Sequence, residues 1–326
     1  MPEPILEVRD LTVHFYTYAG IVKAIEGVSF DVYRGETFAL VGETGCGKSV
    51  TSRALTQLIE SPGKIVRGRV IYHREDGSSV DLLKLSPEEI RDIRGKEIAY
   101  IFQDPNASLD PLYTVGYQIA EAMVVHRTVR DWKEGLKRAV DVLRRVLIPD
   151  PEERVKNYPH EMSGGMKQRV VIGTGVSNNP KILIADEPTT ALDVTVQAQI
   201  LDLMNRLKKE YDTTIILITH NMGVVAEMAD RVAVMYAGKI VEIGSVEQIF
   251  KNPLHPYTRG LLRAVPNPMT KIEHLEAIPG TVPNLIEAPS GCRFHPRCPR
   301  AVEICSREVP ELKEVEPGHF VACHLY

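Results

Sequence analysis

Along the opening part of the chain, apolar and polar positions alternate. Leu11-Thr12-Val13-His14-Phe15 and Val28-Ser29-Phe30-Asp31-Val32 carry the two-residue period of half-buried strands. Gly35 turns the chain into Thr37–Val41, a short apolar run that predicts a buried strand. From Lys48 to Ile59 the spacing becomes helical, and Pro62-Gly63 stops it. The stretch 104–178 reads as mostly helical, with polar breaks at Asp150-Pro151 and Tyr158-Pro159. Strand Ile182–Ala185, helix Val196–Lys209, strand Thr214–Thr219, helix Met222–Met228 and strand Arg231–Tyr236 follow. Strands that alternate with helices predict an α/β fold on a mostly parallel sheet. After Pro253 prolines become frequent and the alternation fades, which places a boundary near Phe250. The expected division is 1–250, with a helical subdomain at about 104–178, and a small appended domain at 251–326. No internal repeat or low-complexity tract is visible.

Composition narrows the function classes. The chain has 326 residues, of which 44% are hydrophobic, enough for a large core. A formal net charge of −4 argues against nucleic acid as the partner, since such binders carry a basic surplus. No run approaches the roughly 20 apolar residues of a membrane helix. The start, MPEPILEVRD, has no basic region followed by an apolar one, so a secretory signal is not expected. The expected setting is the cytosol, or a membrane surface reached through another protein.

Two segments carry phosphate chemistry. Gly42-Glu43-Thr44-Gly45-Cys46-Gly47-Lys48-Ser49 fits G-x-x-x-x-G-K-[ST], after an apolar strand and at the start of a helix. Its glycines let backbone N–H groups curl around phosphates at a helix N-terminus. Lys48 is expected at the β- and γ-phosphates of ATP and Ser49 at Mg²⁺. A bulky adduct on Cys46, inside the loop, is expected to block nucleotide. Ile182-Leu183-Ile184-Ala185-Asp186-Glu187 is an apolar strand that delivers two carboxylates to its carboxyl end, where α/β sheets bind ligands. Asp186 is the expected Mg²⁺ ligand, and Glu187 the group that polarises the attacking water.

Between these segments lies Glu161-Met162-Ser163-Gly164-Gly165-Met166-Lys167-Gln168-Arg169, which resembles the signature motif of ABC ATPases. Met166 stands where many members carry glutamine; this looks like a mark of the peptide-importer branch. Other landmarks resemble that family in order: Gln103 its Q-loop glutamine, Ala191-Leu192-Asp193 its D-loop, and His220 its switch histidine. Phe15 stands where the family places an aromatic against adenine, with Tyr16 and Tyr18 as alternatives. The resemblance covers about residues 5–250 and implies a P-loop ATPase fold. It further implies that Gln103 reaches Mg²⁺ and the reacting centre, that His220 is catalytic, and that Asp193 borders the nucleotide. Ser163, Gly164 and Gly165 would face the γ-phosphate held by a second subunit.

In the tail, Asn252-Pro253-Leu254-His255-Pro256-Tyr257-Thr258 resembles the segment that opens the extension of oligopeptide and dipeptide importer ATPases. Cys292, Cys298, Cys305 and Cys323 follow at spacing C-x5-C-x6-C-x17-C. In a cytosolic chain such a cluster reads as a metal site. Zinc favours C-x2–4-C pairs, which are absent, while an all-thiolate [4Fe–4S] cluster accepts varied spacing. The resemblance also implies such a cluster; zinc is the alternative, with His295, His319 and His324 nearby. None of the expected phosphate ligands lies in the tail, so loosening it is expected to leave nucleotide affinity unchanged.

The resemblance implies an ATP-hydrolysing subunit of an importer for peptides, with oligosaccharides or nickel as other cargoes. Its partners would be a second ABC ATPase subunit, identical or paralogous, two transmembrane permease subunits and, indirectly, an extracytoplasmic solute-binding protein. It would sit on the cytoplasmic face of the cell membrane. The rival classes are a soluble ABC ATPase of DNA repair, which would carry a long coiled coil or an inserted zinc module, and a translation-factor ABC protein, which needs two motor domains. Neither long heptads nor a second phosphate loop occurs in the sequence.

Overall fold

The computed structural model describes residues 3–190, 192–264 and 278–326. Ala191 of the expected D-loop, and part of the tail, lie outside them. The chain forms two compact units, residues 1–84 with 217–326 and residues 85–216.

The first unit opens with β1 (Pro4–Thr17) and β2 (Gly20–Tyr33), paired antiparallel. Both exceed the five-residue runs predicted from alternation. Shifts of register along β1 explain this: they interrupt the two-residue period while the ladder continues. β3 (Thr37–Val41) is buried at every residue, as its unbroken apolar run requires. α1 (Lys48–Leu55) follows and ends earlier than its pattern suggests. Gln57 takes a left-handed conformation, φ 57°, and its N–H donates to Ala54 O while Leu58 N–H donates to Arg53 O. This pair of bonds is a Schellman stop, made by glutamine where glycine is usual. The Gln57 side chain is held by donation to Leu82 O at 2.6 Å. β4 (Gly63–His73) pairs with β1, and β5 (Ser79–Asp81) with β4, which gives a sheet in the order β2-β1-β4-β5.

The second unit begins with α2 (Pro87–Ile93), which starts on a capping box between Ser86 and Glu89. β6 (Ile98–Ile101) leads into the helices α3 (Pro105–Ser108), α4 (Val115–Val125), α5 (Trp132–Arg145), α6 (Pro151–Arg154) and α7 (Gly164–Val176). Asp104, Thr114, Asp131 and Ser163 accept N–H bonds as N-caps of α3, α4, α5 and α7. β7 (Ile182–Asp186) is buried throughout and pairs parallel with β6. α8 (Val194–Tyr211) starts two residues before the predicted helix, because Asp193 caps it by accepting from Val196 N–H at 2.9 Å. β8 (Thr214–Thr219) is the strand in which the division between the units falls.

Back in the first unit, α9 (Met222–Met228), β9 (Arg231–Tyr236), β10 (Lys239–Ser245), α10 (Val246–Lys251) and α11 (Pro256–Arg263) precede a tail hairpin of β11 (Lys313–Glu316) and β12 (His319–Val321). β3 lies parallel to β9, β9 pairs with β10, and β12 adds to β10 with Glu242 opposite Val321. The chain beyond Phe250 thus extends a sheet of the same unit.

One buried carboxylate organises that addition. Glu242 on β10 is fully buried and accepts from Leu254 N–H at 2.8 Å and from His255 N–H at 2.9 Å. The equally buried His319 lies 2.8 Å away through Nε2. His255 then caps α11: its Nδ1 accepts from Tyr257 N–H at 3.1 Å. Burial pushes the pKa of His255 down to about 3, so the ring keeps the neutral form that accepting demands.

Two expectations follow. Glu242→Ala strands two amides and an imidazole without acceptors, and should cost on the order of 3 kcal/mol in urea unfolding, with the tail cleaved faster by protease. The His255 contribution is present above its unfolded pKa near 6.5 and lost as pH falls towards 3, because the unfolded chain then binds the extra proton. The urea midpoint of the unmodified chain should therefore fall more steeply over that window than that of His255→Asn.

Candidate nucleotide site and the tail cysteines

The phosphate loop of the first unit is built by close approach. At Gly42, φ 152°, a Cβ would lie 2.2 Å from Met235 O and 2.8 Å from Cys46 Sγ. At Gly47, φ 103°, it would lie 2.7 Å from Ile25 Cγ2. No other residue fits either position. Cys46 O accepts from Gly238 N–H at 2.8 Å, which seats the loop on the β9–β10 turn. Thr44 and Gly45 form its exposed crest, and Ser49 is half-buried on α1. Lys48 is buried, and its Nζ donates to Gly42 O at 2.8 Å and Glu43 O at 3.0 Å. Cys46 is fully buried, and burial raises its thiol pKa, with Lys48 opposing.

Glu43 has company that sequence reasoning missed. Its N–H donates to Tyr257 Oη at 2.8 Å, and its carboxylate pairs with Arg297 at 2.8 and 3.1 Å. Tyr257 lay in a segment singled out for family likeness alone, and Arg297 stands beside Cys298 of the cysteine set. The tail supplies none of the expected phosphate ligands, yet it touches the phosphate loop at Glu43.

His220 follows β8 at an exposed bend. Phe15 is half-buried on β1 against Gly63, whose Cβ would lie 2.7 Å from its ring. Tyr16 is 45% exposed with Lys64 over its ring, and Tyr18 is fully exposed.

In the second unit, β7 ends on two carboxylates in unlike surroundings. Asp186 is buried and accepts from Tyr100 Oη at 2.9 Å. Glu187 is half-buried with a left-handed backbone, φ 48°, and accepts from Gln103 Nε2 at 2.9 Å and Thr190 Oγ1 at 3.0 Å. A non-glycine residue held at that φ is costly and persists where its surroundings impose it. Ser163 and Gly164 are exposed at the start of α7, with Ser163 Oγ accepting from Met166 N–H at 3.3 Å. Gly165 approaches α8 so closely that a Cβ would meet Val196 Cγ1 at 2.8 Å. The carboxylate of Asp193 is occupied as the α8 cap.

The tail thiols lie within electrostatic reach of one another. Burial raises the pKa of Cys292 to about 11, and the charges of Cys305, Cys323 and Cys298 push the same way. Burial likewise raises Cys298 and Cys323. Backbone hydrogen bonds from Phe294, Arg300 and Leu325 oppose these shifts by favouring the thiolates. Cys305 is buried, and its carbonyl accepts from Cys292 N–H at 2.8 Å. Among the described residues, no group of three or more His, Cys, Asp or Glu is placed to hold a metal ion.

A loop curled this tightly around a buried lysine, at the mouth of an α/β sheet, is the equipment of a P-loop ATPase. Solved structures agree on the fold. A dimeric ATP-binding cassette in a post-hydrolysis state with ADP and Pi is 26% identical, with a TM-score of 0.64 over 74% of this chain and 98% of its own. CbiO1 from Clostridium perfringens, part of the ABC transporter complex cbiONQ, is 30% identical with a TM-score of 0.63 over 77% and 92%. Residues 25–190 match the ABC transporter family and residues 241–305 the oligopeptide/dipeptide transporter C-terminal region. Two Bacillus subtilis (strain 168) proteins run nearly the full length. The dipeptide transport ATP-binding protein DppD is 49% identical over 99% of this chain and 95% of its own. The oligopeptide transport ATP-binding protein OppD is 52% identical over 98% and 88%. The chain belongs to the ABC transporter ATPases, in the group that carries the oligopeptide/dipeptide C-terminal region. No described helix is long and apolar enough to cross a membrane.

The surroundings of Cys46 revise how it should react. Buried and with its pKa raised, it should resist iodoacetamide at neutral pH in the folded chain. Peptide mass spectrometry of the folded and urea-unfolded chain would measure this, with Cys46 labelled only after unfolding.

Proposed function

We propose that this chain is the ATP-hydrolysing subunit of an importer for dipeptides or oligopeptides. The near full-length likeness to dipeptide and oligopeptide transport ATP-binding proteins supports the cargo class. In this reading, residues 1–250 are the motor, with a helical subdomain at about 104–178, and 251–326 its extension. Two copies, identical or paralogous, would work with two transmembrane permease subunits at the cytoplasmic face of the membrane, supplied by an extracytoplasmic solute-binding protein.

The observation that carries the chemistry is the unlike pair at the end of β7. Asp186, buried and hydrogen-bonded, suits a fixed Mg²⁺ ligand, with Ser49 and Gln103 completing the set. Mg²⁺ held there would supply positive charge to offset that of the phosphates. Glu187, open to solvent on one side, suits the group that orients water and takes its proton. Its contact with Gln103 gives a way to link base and metal ligand. Backbone N–H groups of Gly42–Ser49 cradle the phosphates, Lys48 neutralises them, and His220 steadies the γ-phosphate. Phe15 stacks on adenine, with Tyr16 and Tyr18 as alternatives. The exposed terminus of α7 at Ser163, Gly164 and Gly165, bordered by Asp193, offers an anion site to nucleotide on the second subunit.

Cys292, Cys298, Cys305 and Cys323 would hold a [4Fe–4S] cluster, with zinc as the alternative. The grouping of these four thiols in one short stretch of the tail supports this reading. Such a group would supply folding free energy to the tail.

Two measurements test this. Glu187→Gln should bind MgATP as the unmodified chain does and lose turnover by on the order of a hundredfold or more; turnover within about tenfold would remove Glu187 from that role. Protein purified without oxygen should be brown, with about four irons per chain. One zinc per chain and no visible absorbance would favour zinc, and a metal-free chain with an equally protease-resistant tail would sink both.

A further inference from the structure

Glu43 is attached at three points. Its N–H donates to Tyr257 Oη, its carboxylate accepts from Arg297, and its carbonyl accepts from Lys48 Nζ at 3.0 Å. Two of these attachments come from the tail and the third from the lysine of the phosphate loop. The tail is thus one residue away from Lys48.

The attachments are built with unusual completeness. The Arg297 side chain is 6% exposed. Its guanidinium donates to Glu43 Oε2, Glu43 Oε1, Tyr236 Oη, Ile278 O and Pro279 O, one acceptor for each N–H. A lysine offers three donors from a single point and cannot reproduce that fork. Tyr257 is fully buried, with its ring against Tyr236 and Phe294. Beside Glu43, Gly42 packs so closely that a Cβ there would lie 2.2 Å from Met235 O.

We propose that the C-terminal extension sets the affinity of the phosphate loop for nucleotide, with Arg297 and Tyr257 as positioning residues that fix Glu43. The proposal rests on the reading of residues 42–49 as the phosphate site. A phosphate loop binds through backbone N–H groups held in a preset curl, and its affinity depends on how little must be ordered on binding. With Glu43 pinned from behind, Lys48 Nζ starts from fixed oxygens and turns from them to phosphate. Without the pins, Glu43 is free to move with the lysine, and the curl has to be restored at each binding event. A tail that served only as packing would change stability and leave MgATP affinity alone.

The test uses the full chain and measures MgATP Kd by calorimetry, KM and kcat by phosphate release, and the thermal midpoint. Binding of MgATP by the unmodified chain checks the underlying reading separately; its absence would overturn that reading and this proposal together. Tyr257→Phe deletes one oxygen from a retained ring and should raise Kd and KM about threefold, with kcat unchanged and the chain still folded at the assay temperature. Arg297→Lys should raise both about tenfold. In a Glu43→Gln background, Arg297→Lys should add less than it does alone, since both act through one contact. If Tyr257→Phe and Arg297→Lys, both folded, bind MgATP within about twofold of the unmodified chain, the proposal is overturned. Where Arg297→Lys does not fold, Tyr257→Phe decides by the same criterion. A loss confined to kcat, or one that follows the thermal midpoint, also overturns it.

Discussion

A carboxylate sealed from water must be met by donors, and Glu242 meets this demand with groups from widely separated parts of the chain. Two amides just after α10 and an imidazole from β12 converge on its oxygens. An unpaired carboxylate at that depth would cost several kcal/mol, so the tail cannot leave one donor unmade without penalty. The consequences run outward. Fixing Leu254 and His255 sets the start of α11, the neutral His255 ring caps it, and Tyr257 is aimed at Glu43. Fixing His319 lays β12 along β10. The phosphate loop is therefore backed by a chain of contacts that begins at one buried side chain on β10.

Legibility in the sequence followed the range of the forces involved. Elements governed by local pattern were readable: β3, β7 and β9 from unbroken apolar runs, and the phosphate loop from glycines that no other residue can replace. Errors at element ends came from residues acting against type. Gln57 closes α1 in a left-handed conformation usually taken by glycine, so the helical pattern runs on past the true stop. Asp193, read from family likeness as a neighbour of nucleotide, also caps α8 and moves its start.

Contacts between distant positions left no local trace. Tyr100 on Asp186 and Arg297 on Glu43 join residues 86 and 254 positions apart, and neither donor carries a signal of its contact. The tail cysteines were visible as a set, because rare residues stand out, yet their burial and the amides that favour their thiolates belong to the fold. Cys46 is the clearest contrast. Its place in the loop was plain from sequence, while its burial, which governs its reactivity, was not.

The bond between Arg297 and Glu43 spans 254 positions of chain. It therefore bears on how such chains can be recombined. A chimera that took residues 251–326 from one relative and the motor from another would join cleanly at the peptide bond and still be mismatched at position 43. Grafted beside a residue other than glutamate, the guanidinium of Arg297 would be left buried with a charge and too few acceptors. The transferable module is accordingly not the contiguous tail but the tail together with one residue of the phosphate loop.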